Sequence, residues 1–176
     1  MTQHGFQPGL IRPVGWKPTP LPPMKIEISV PEQSLRLFDD DGALVREYAC
    51  STSKYGYSSV PESYHTPLGQ FRIVEKIGHG AEPGTIFKSR VPVGVWDGGL
   101  ADDDYVLTRI LWLDGCEEHN ANTRDRYIYI HGTNQEQLIG TPASHGCVRL
   151  SNADVIDLFN RVEEGVTVEI RRPDNQ

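Results

Sequence analysis

The chain has 176 residues, 38% of them hydrophobic and 23% charged, which is enough apolar mass for one sizeable core and predicts a single domain. Its longest apolar runs are four residues, 110–113 and 127–130, too short for a spanning helix of about 20 residues or a secretory h-region of about 7–15. The net charge of −7 disfavours sequence-blind binding to nucleic acid or an anionic membrane, and three widely spaced cysteines, Cys50, Cys116 and Cys147, do not describe a disulfide framework, so a reducing compartment fits best.

Residues 1–23 hold six prolines, which remove backbone donors and fix φ, so an extended N-terminal arm is expected there. From Lys25 the chain reads as strands. Ile26, Ile28 and Val30 alternate with polar residues, as do Leu35 and Leu37. Asp39-Asp40-Asp41-Gly42 marks a turn before a strand over 43–51, and a polar, tyrosine-rich loop follows over 52–66. Further strands are predicted over 70–77, 105–113 and 127–130. Between them, residues 78–104 are glycine-rich and weakly periodic, the pattern of a lid or binding loop, or else of disorder. Val155, Leu158, Phe159 and Val162 fall at helical spacing behind a Ser151/Asp154 cap, with Gly165 as the expected stop, and Val166, Val168 and Ile170 close the chain as a strand. The fold class is therefore mainly β with one helix near the C-terminus and a lid-like insertion.

The chemistry concentrates in residues 127–154, where a strand delivers His131, a polar loop follows, and Ser144-His145-Gly146-Cys147-Val148-Arg149 runs into the helix. Cys147 is the candidate nucleophile, since a thiolate attacks carbonyls well and an imidazole nearby lowers the thiol pKa. His131, sixteen positions upstream, can take the thiol proton and return it to a leaving amine. Gly146 lets the backbone approach a reacting carbonyl, and the N–H groups around it can form an oxyanion hole. Arg149 can hold a substrate carboxylate, or brace the loop through carbonyl hydrogen bonds.

Other readings of the same residues stay open. Cys147 can be a small core hydrophobe, as Cys50 is expected to be, while Cys116 reads as an incidental loop thiol. His131, His145 and Cys147 could ligate zinc, with Cys116 or His119 completing the set. A general cysteine peptidase would orient its histidine with a side chain such as Asn134 or Asn152. His4, His65, His79 and His119 have no local company that raises them above surface residues.

With these motifs in place, the sequence resembles the YkuD-type L,D-transpeptidase catalytic domain, whose signature is a His, a loop and [Ser/Thr]-His-Gly-Cys. Ile130-His131-Gly132-Thr133-Asn134 and Ser144-His145-Gly146-Cys147-Val148-Arg149 carry the resemblance, with Asn152 and Asp154 after them. Thr66-Pro67-Leu68-Gly69-Gln70-Phe71 and the closing Gly165 to Ile170 support it. It divides the chain into an arm (1–23), a catalytic domain (24–171) and a tail (172–176). The resemblance implies a β-sandwich-like fold and acyl transfer at the L,D bond of peptidoglycan stem peptides, with Cys147 as nucleophile and His131 as base. It implies that the main-chain carbonyl of Gly132 orients the base, that His145, Gly146 and Cys147 line the oxyanion site, and that Arg149, Ser144, Thr66 and Gly69 lie at the substrate.

The acyl-enzyme has two fates. Water releases the terminal D-alanine, an L,D-carboxypeptidase reaction suited to muropeptide recycling, and an amine from a second stem peptide forms a crosslink. The chain shows no export signal or wall-binding module, so cytoplasmic localisation and hydrolysis are expected, with the periplasm as the alternative if a signal was removed. The expected partners are stem peptides or soluble muropeptides, with β-lactams such as carbapenems as candidate inhibitors and neither nucleic acid nor membrane. No metal or organic cofactor is implied, and activity should need reductant and fall to alkylation. A non-catalytic muropeptide- or zinc-binding module is the contrasting class. Against the global negative charge, substrate binding calls for a local basic pocket, for which Arg149 is the first candidate and Lys54, Lys88, Arg90, Arg109, Arg124 and Arg126 are rim candidates.

Overall fold

The alternation that begins at Lys25 becomes strand β1 (Met24–Ser29), with Ile26 and Ile28 fully buried. The computed structural model describes residues 23–172; the expected arm up to residue 22 and tail from residue 173 lie outside the described residues. β1 pairs antiparallel with β2 (Ser34–Asp39), which pairs with β3 (Leu44–Ala49). On its other side β1 runs parallel to β10 (Thr167–Arg171), the closing strand. Their solvent face carries the charged partners of the alternation: Lys25 meets Glu27 at 2.8 Å and Glu169 at 3.1 Å. The sheet continues through β4 (Gly69–Ile77) to β7 (Val106–Gly115) and then to the pair β5 (Thr85–Lys88) and β6 (Val91–Val95).

At β7 the sheet branches. β7 also pairs with β8 (Tyr129–Gly132), and β8 runs parallel to β9 (Val148–Leu150). A register shift between Leu107 and Ile110 accompanies the branch, with buried Thr108 at φ +74°, a conformation that β-branched residues rarely adopt. Among the described residues the result is a mainly β fold, one curled sheet with a single α-helix, as the periodicity predicts.

Helix α1 (Asn152–Arg161) buries Val155, Leu158 and Phe159, which pack with Ile73, Leu111, Ile130 and Val148 in the main core. Ser151 is its N-cap, its Oγ accepting the Asp154 N–H at 3.1 Å. The helix stops earlier than the Gly165 signal suggests: Val162 is already extended at φ −121° and drops into the core. Gly165 instead turns the chain into β10, at φ +92°, and its N–H donates to Ile73 O.

The glycine-rich insertion is more ordered than either a loop or disorder. Ser89 and Arg90 both have positive φ, the backbone of a tight two-residue hairpin turn, and they join β5 to β6. Arg90 lies 4.6 Å over the Trp112 ring and 5.2 Å over Tyr127, and donates to Tyr129 Oη at 3.2 Å. The insertion thereby folds back onto the strand that delivers His131.

Candidate active site

The parallel pairing of β8 and β9 sets Ile130 against Val148 and His131 against Arg149. Because side chains alternate along a strand, Ile130, Val148 and Leu150 enter the core, and His131 and Arg149 project together on the other face. Cys147 sits one residue ahead of β9 beside Tyr129, whose N–H donates to Cys147 Sγ at 3.3 Å. The Cys147 thiol in turn donates to the carbonyl oxygen of Tyr127 at 3.4 Å.

His131 is buried, and its Nδ1 lies 2.6 Å from the carbonyl oxygen of Gly132. A carbonyl only accepts, so Nδ1 carries the proton and Nε2 is left as the basic nitrogen. Gly132 is the one residue type that fits there: a Cβ would meet Asn152 Oδ1 and would come within 2.8 Å of Leu107 O. Asn152 has another task, bonding Thr133 O and Glu136, and Asn134 bonds Tyr105 and Asp103. Neither asparagine orients the imidazole.

Electrostatics here depart from the expected activation. Burial pushes the Cys147 thiol up to about 12, against the opposing pull of the Tyr129 N–H bond, and burial holds His131 below its usual value. The resting pair is a neutral thiol and a neutral imidazole, because burial penalises both ions and a neutral histidine offers no positive charge to lower the thiol.

Arg149 has no exposed surface. Its guanidinium donates to Asp104 Oδ2 at 3.0 Å, Gln135 Oε1 at 2.9 Å and Ser51 Oγ at 3.4 Å. Contact with a substrate carboxylate needs an exposed guanidinium, so this conformation corresponds to the brace and not to the clamp. Asp104 also accepts from Thr133 Oγ1 at 3.0 Å, tying the end of the insertion to the strand after His131. Asp104 and Tyr129 belong to the site and were not candidates from the sequence. No local pattern surrounds Asp104, and Tyr129 reads only as an alternating strand residue.

Ser144 and Thr66 are buried and hold the loop. Ser144 Oγ donates to Cys147 O at 2.6 Å and accepts the Gly146 N–H at 3.2 Å, while Thr66 Oγ1 donates to Gly146 O at 3.0 Å. Gly146, at φ +127°, occupies a conformation that L side chains rarely adopt. His145 turns outward to Tyr55 and Tyr64, with ring centroids 5.8 and 6.1 Å away, and so stands apart from a zinc set with His131 and Cys147. Gly69 is brought to Glu117 and Asn120 rather than to these residues. Cys50 is buried in the core and Cys116 is exposed. Among the described residues no three His, Cys, Asp or Glu side chains are grouped to hold a metal, and no helix is long and apolar enough to cross a membrane.

A groove of about 410 Å³ borders this loop, lined by Glu62, Tyr64, Asn122, Arg126, Tyr127 and His145 among others. A larger cavity of about 840 Å³ along β1 and the entry to β10 shares no lining residue with it.

Comparison with known proteins bears on this geometry. Residues 23–170 match the family model described as the L,D-transpeptidase catalytic domain, YkuD. The YkuD protein of Bacillus licheniformis is 29% identical over 148 residues, covering 84% of this chain and 66% of that protein. The YkuD protein of Bacillus subtilis is 49% identical over 61 residues, 35% of this chain and 32% of that protein. The solved L,D-transpeptidase 3 of Mycobacterium tuberculosis, in complex with a faropenem-derived adduct, superposes with a TM-score of 0.55 at 21% identity, covering 85% of this chain and 60% of that one. The chain thus spans less than two thirds of the length of these relatives.

Proposed function

The chain belongs to the YkuD family of L,D-transpeptidase catalytic domains, and from that premise we propose that it transfers acyl groups from the L,D bond of peptidoglycan stem tetrapeptides through a thioester on Cys147. The observation that carries this reading is the His131 Nδ1 bond to Gly132 O, which leaves Nε2 unprotonated on the face that also bears Cys147.

The neutral resting pair defines the first step. Nε2 of His131 takes the thiol proton as sulfur attacks the carbonyl carbon of the L-centre, forming the S–C bond of a tetrahedral intermediate. The Gly146 N–H is already given to Ser144 Oγ, so the oxyanion falls to the N–H groups of His145 and Cys147. Collapse breaks the C–N bond, and the imidazolium returns its proton to the departing D-alanine amine. In the second half-reaction His131 takes a proton from the incoming nucleophile, which displaces the sulfur as a thiol. Arg149 acts in this scheme as a brace, fixing β9 to Asp104 and so the position of Cys147.

Water is the acceptor we favour. The groove beside the loop has the volume of one short peptide, and hydrolysis needs no second peptide site. Transfer to an amine is the second reading, supported by the names of the relatives. A β-lactam adduct on the structural neighbour supports testing such compounds here as acylating agents of Cys147. Incubation with a disaccharide tetrapeptide separates the readings by mass spectrometry. Tripeptide and free D-alanine are expected; crosslinked dimers in their place would overturn hydrolysis, and an unchanged substrate would overturn both.

A further inference from the structure

A stem tetrapeptide carries a terminal carboxylate one residue beyond the scissile bond, and Arg149, held by Asp104, Gln135 and Ser51, is withdrawn from binding it. We propose that Arg126 is the carboxylate anchor of the acyl donor, binding the terminal carboxylate of the stem peptide in the groove beside Cys147; this rests on the functional reading above.

Arg126 lines the groove together with Tyr64, Tyr127 and His145. Its guanidinium is fixed by neutral acceptors: it donates to Ser58 O at 3.0 Å, to His65 O at 2.7 Å and to Ser63 Oγ at 3.4 Å. These contacts use three of the five N–H donors a guanidinium carries. Among the described residues Arg126 forms no ion pair, although it is partly buried. A half-buried cation without an anion is costly, and a ligand carboxylate compensates it. The other arginines that bear on the strand pair are differently occupied: Arg149 is paired with Asp104, and Arg90 is stacked on Trp112.

Position agrees with charge. Arg126 is one residue before Tyr127, whose carbonyl accepts the Cys147 thiol, and its charge stabilises the thiolate of Cys147. It also holds the carbonyl of His65, the same atom that lies 3.3 Å from where a Cβ on Gly146 would be. Arg126 is therefore next in the chain to the residue that holds the thiol, and it is bonded to the carbonyl that packs against the glycine turn. In a chain of net charge −7 this local cation counters long-range repulsion of an anionic peptide. Glu62 and Asp125 on the same groove suit the amine of a zwitterionic stem.

The test compares a stem tetrapeptide with its C-terminal amide. The wild type should favour the acid about tenfold or more in kcat/KM. R126Q should bring the acid-to-amide ratio close to one, and R126K should restore part of it. The same selectivity should appear in calorimetric binding of the two peptides to a Cys147→Ala background, where no turnover is needed. A wild type indifferent to acid and amide, or an R126Q ratio equal to the wild-type ratio, would overturn the proposal. Equal losses on both peptides in R126Q, with no recovery in R126K, would show a purely structural residue and overturn it too. Acid-selective binding without any turnover would retain the anchor and overturn the enzymatic reading.

Discussion

His131 is neutral at rest because burial disfavours its cation, and its tautomer is set by one carbonyl. Its pKa lies below the ordinary 6.5, so Nε2 stays free for the proposed role of base as pH falls through 6.5. The acid limb of kcat/KM against pH is expected to have its midpoint below 6.5, read in a steady-state pH series; a midpoint above that value would mean the imidazolium is favoured, contrary to burial. The same shift couples to stability. The unfolded chain binds a proton near pH 6.5 that folded His131 refuses, so its contribution is present above 6.5 and declines as pH falls below it.

Arg149 and Asp104 carry a second residue-scale prediction. Removing one member of a buried ion pair leaves the other uncompensated, at a cost of about 3 kcal/mol. Arg149→Met should destabilise by that order in urea titration, and Arg149→Met with Asp104→Leu should recover much of the loss. Additive losses in the double variant would mean the two side chains do not depend on each other. His131 and Cys147 stand out as candidates from residue type and spacing, and the β8–β9 pairing accounts for their placement on one face. Asp104 does not stand out, because its partner lies 45 positions away in the sequence and the two meet only through the return of the insertion onto β8. The raised thiol pKa was hidden for a similar reason: adjacency to a histidine predicts activation, whereas burial of both groups reverses it.

Among the elements, those with short-range patterns are legible in the sequence, save the end of α1, where Gly165 marks the turn into β10 and not the helix stop. β1, β2 and α1 announce themselves through alternation, helical spacing and a Ser151 cap. β9 is three residues long and fully buried, too short for any period to show. β5 and β6 were hidden by glycines and by Pro92, and β6 is an exposed edge strand whose valines point to no local core. The hairpin is held near the site by the β5–β7 pairing, by buried Phe87 and by Arg90 on Trp112, Tyr127 and Tyr129. Arg90→Ala should therefore speed amide hydrogen exchange across residues 85–95 while leaving the exchange of β1 and β10 as in the wild type. Unchanged exchange in the hairpin would assign its docking to the β5–β7 pairing instead.

For the whole molecule, the curled sheet and helix α1 make a rigid frame whose branch at β7 presents two short parallel strands. One face of that pair completes the core, and the other carries His131, Arg149 and the loop with Cys147. Tyr64 and Tyr127, both at positive φ, flank the loop, a concentration of backbone strain suited to a preorganised site. On this reading one thiol of the three, Cys147, forms the acyl-enzyme. This is tested most directly by quenching the reaction with a stem tetrapeptide in acid and locating the acyl group by peptide mass spectrometry. An acyl adduct is expected on Cys147, none on Cys50 or Cys116, and no turnover in Cys147→Ala. An adduct on another residue, or full turnover in that variant, would contradict it.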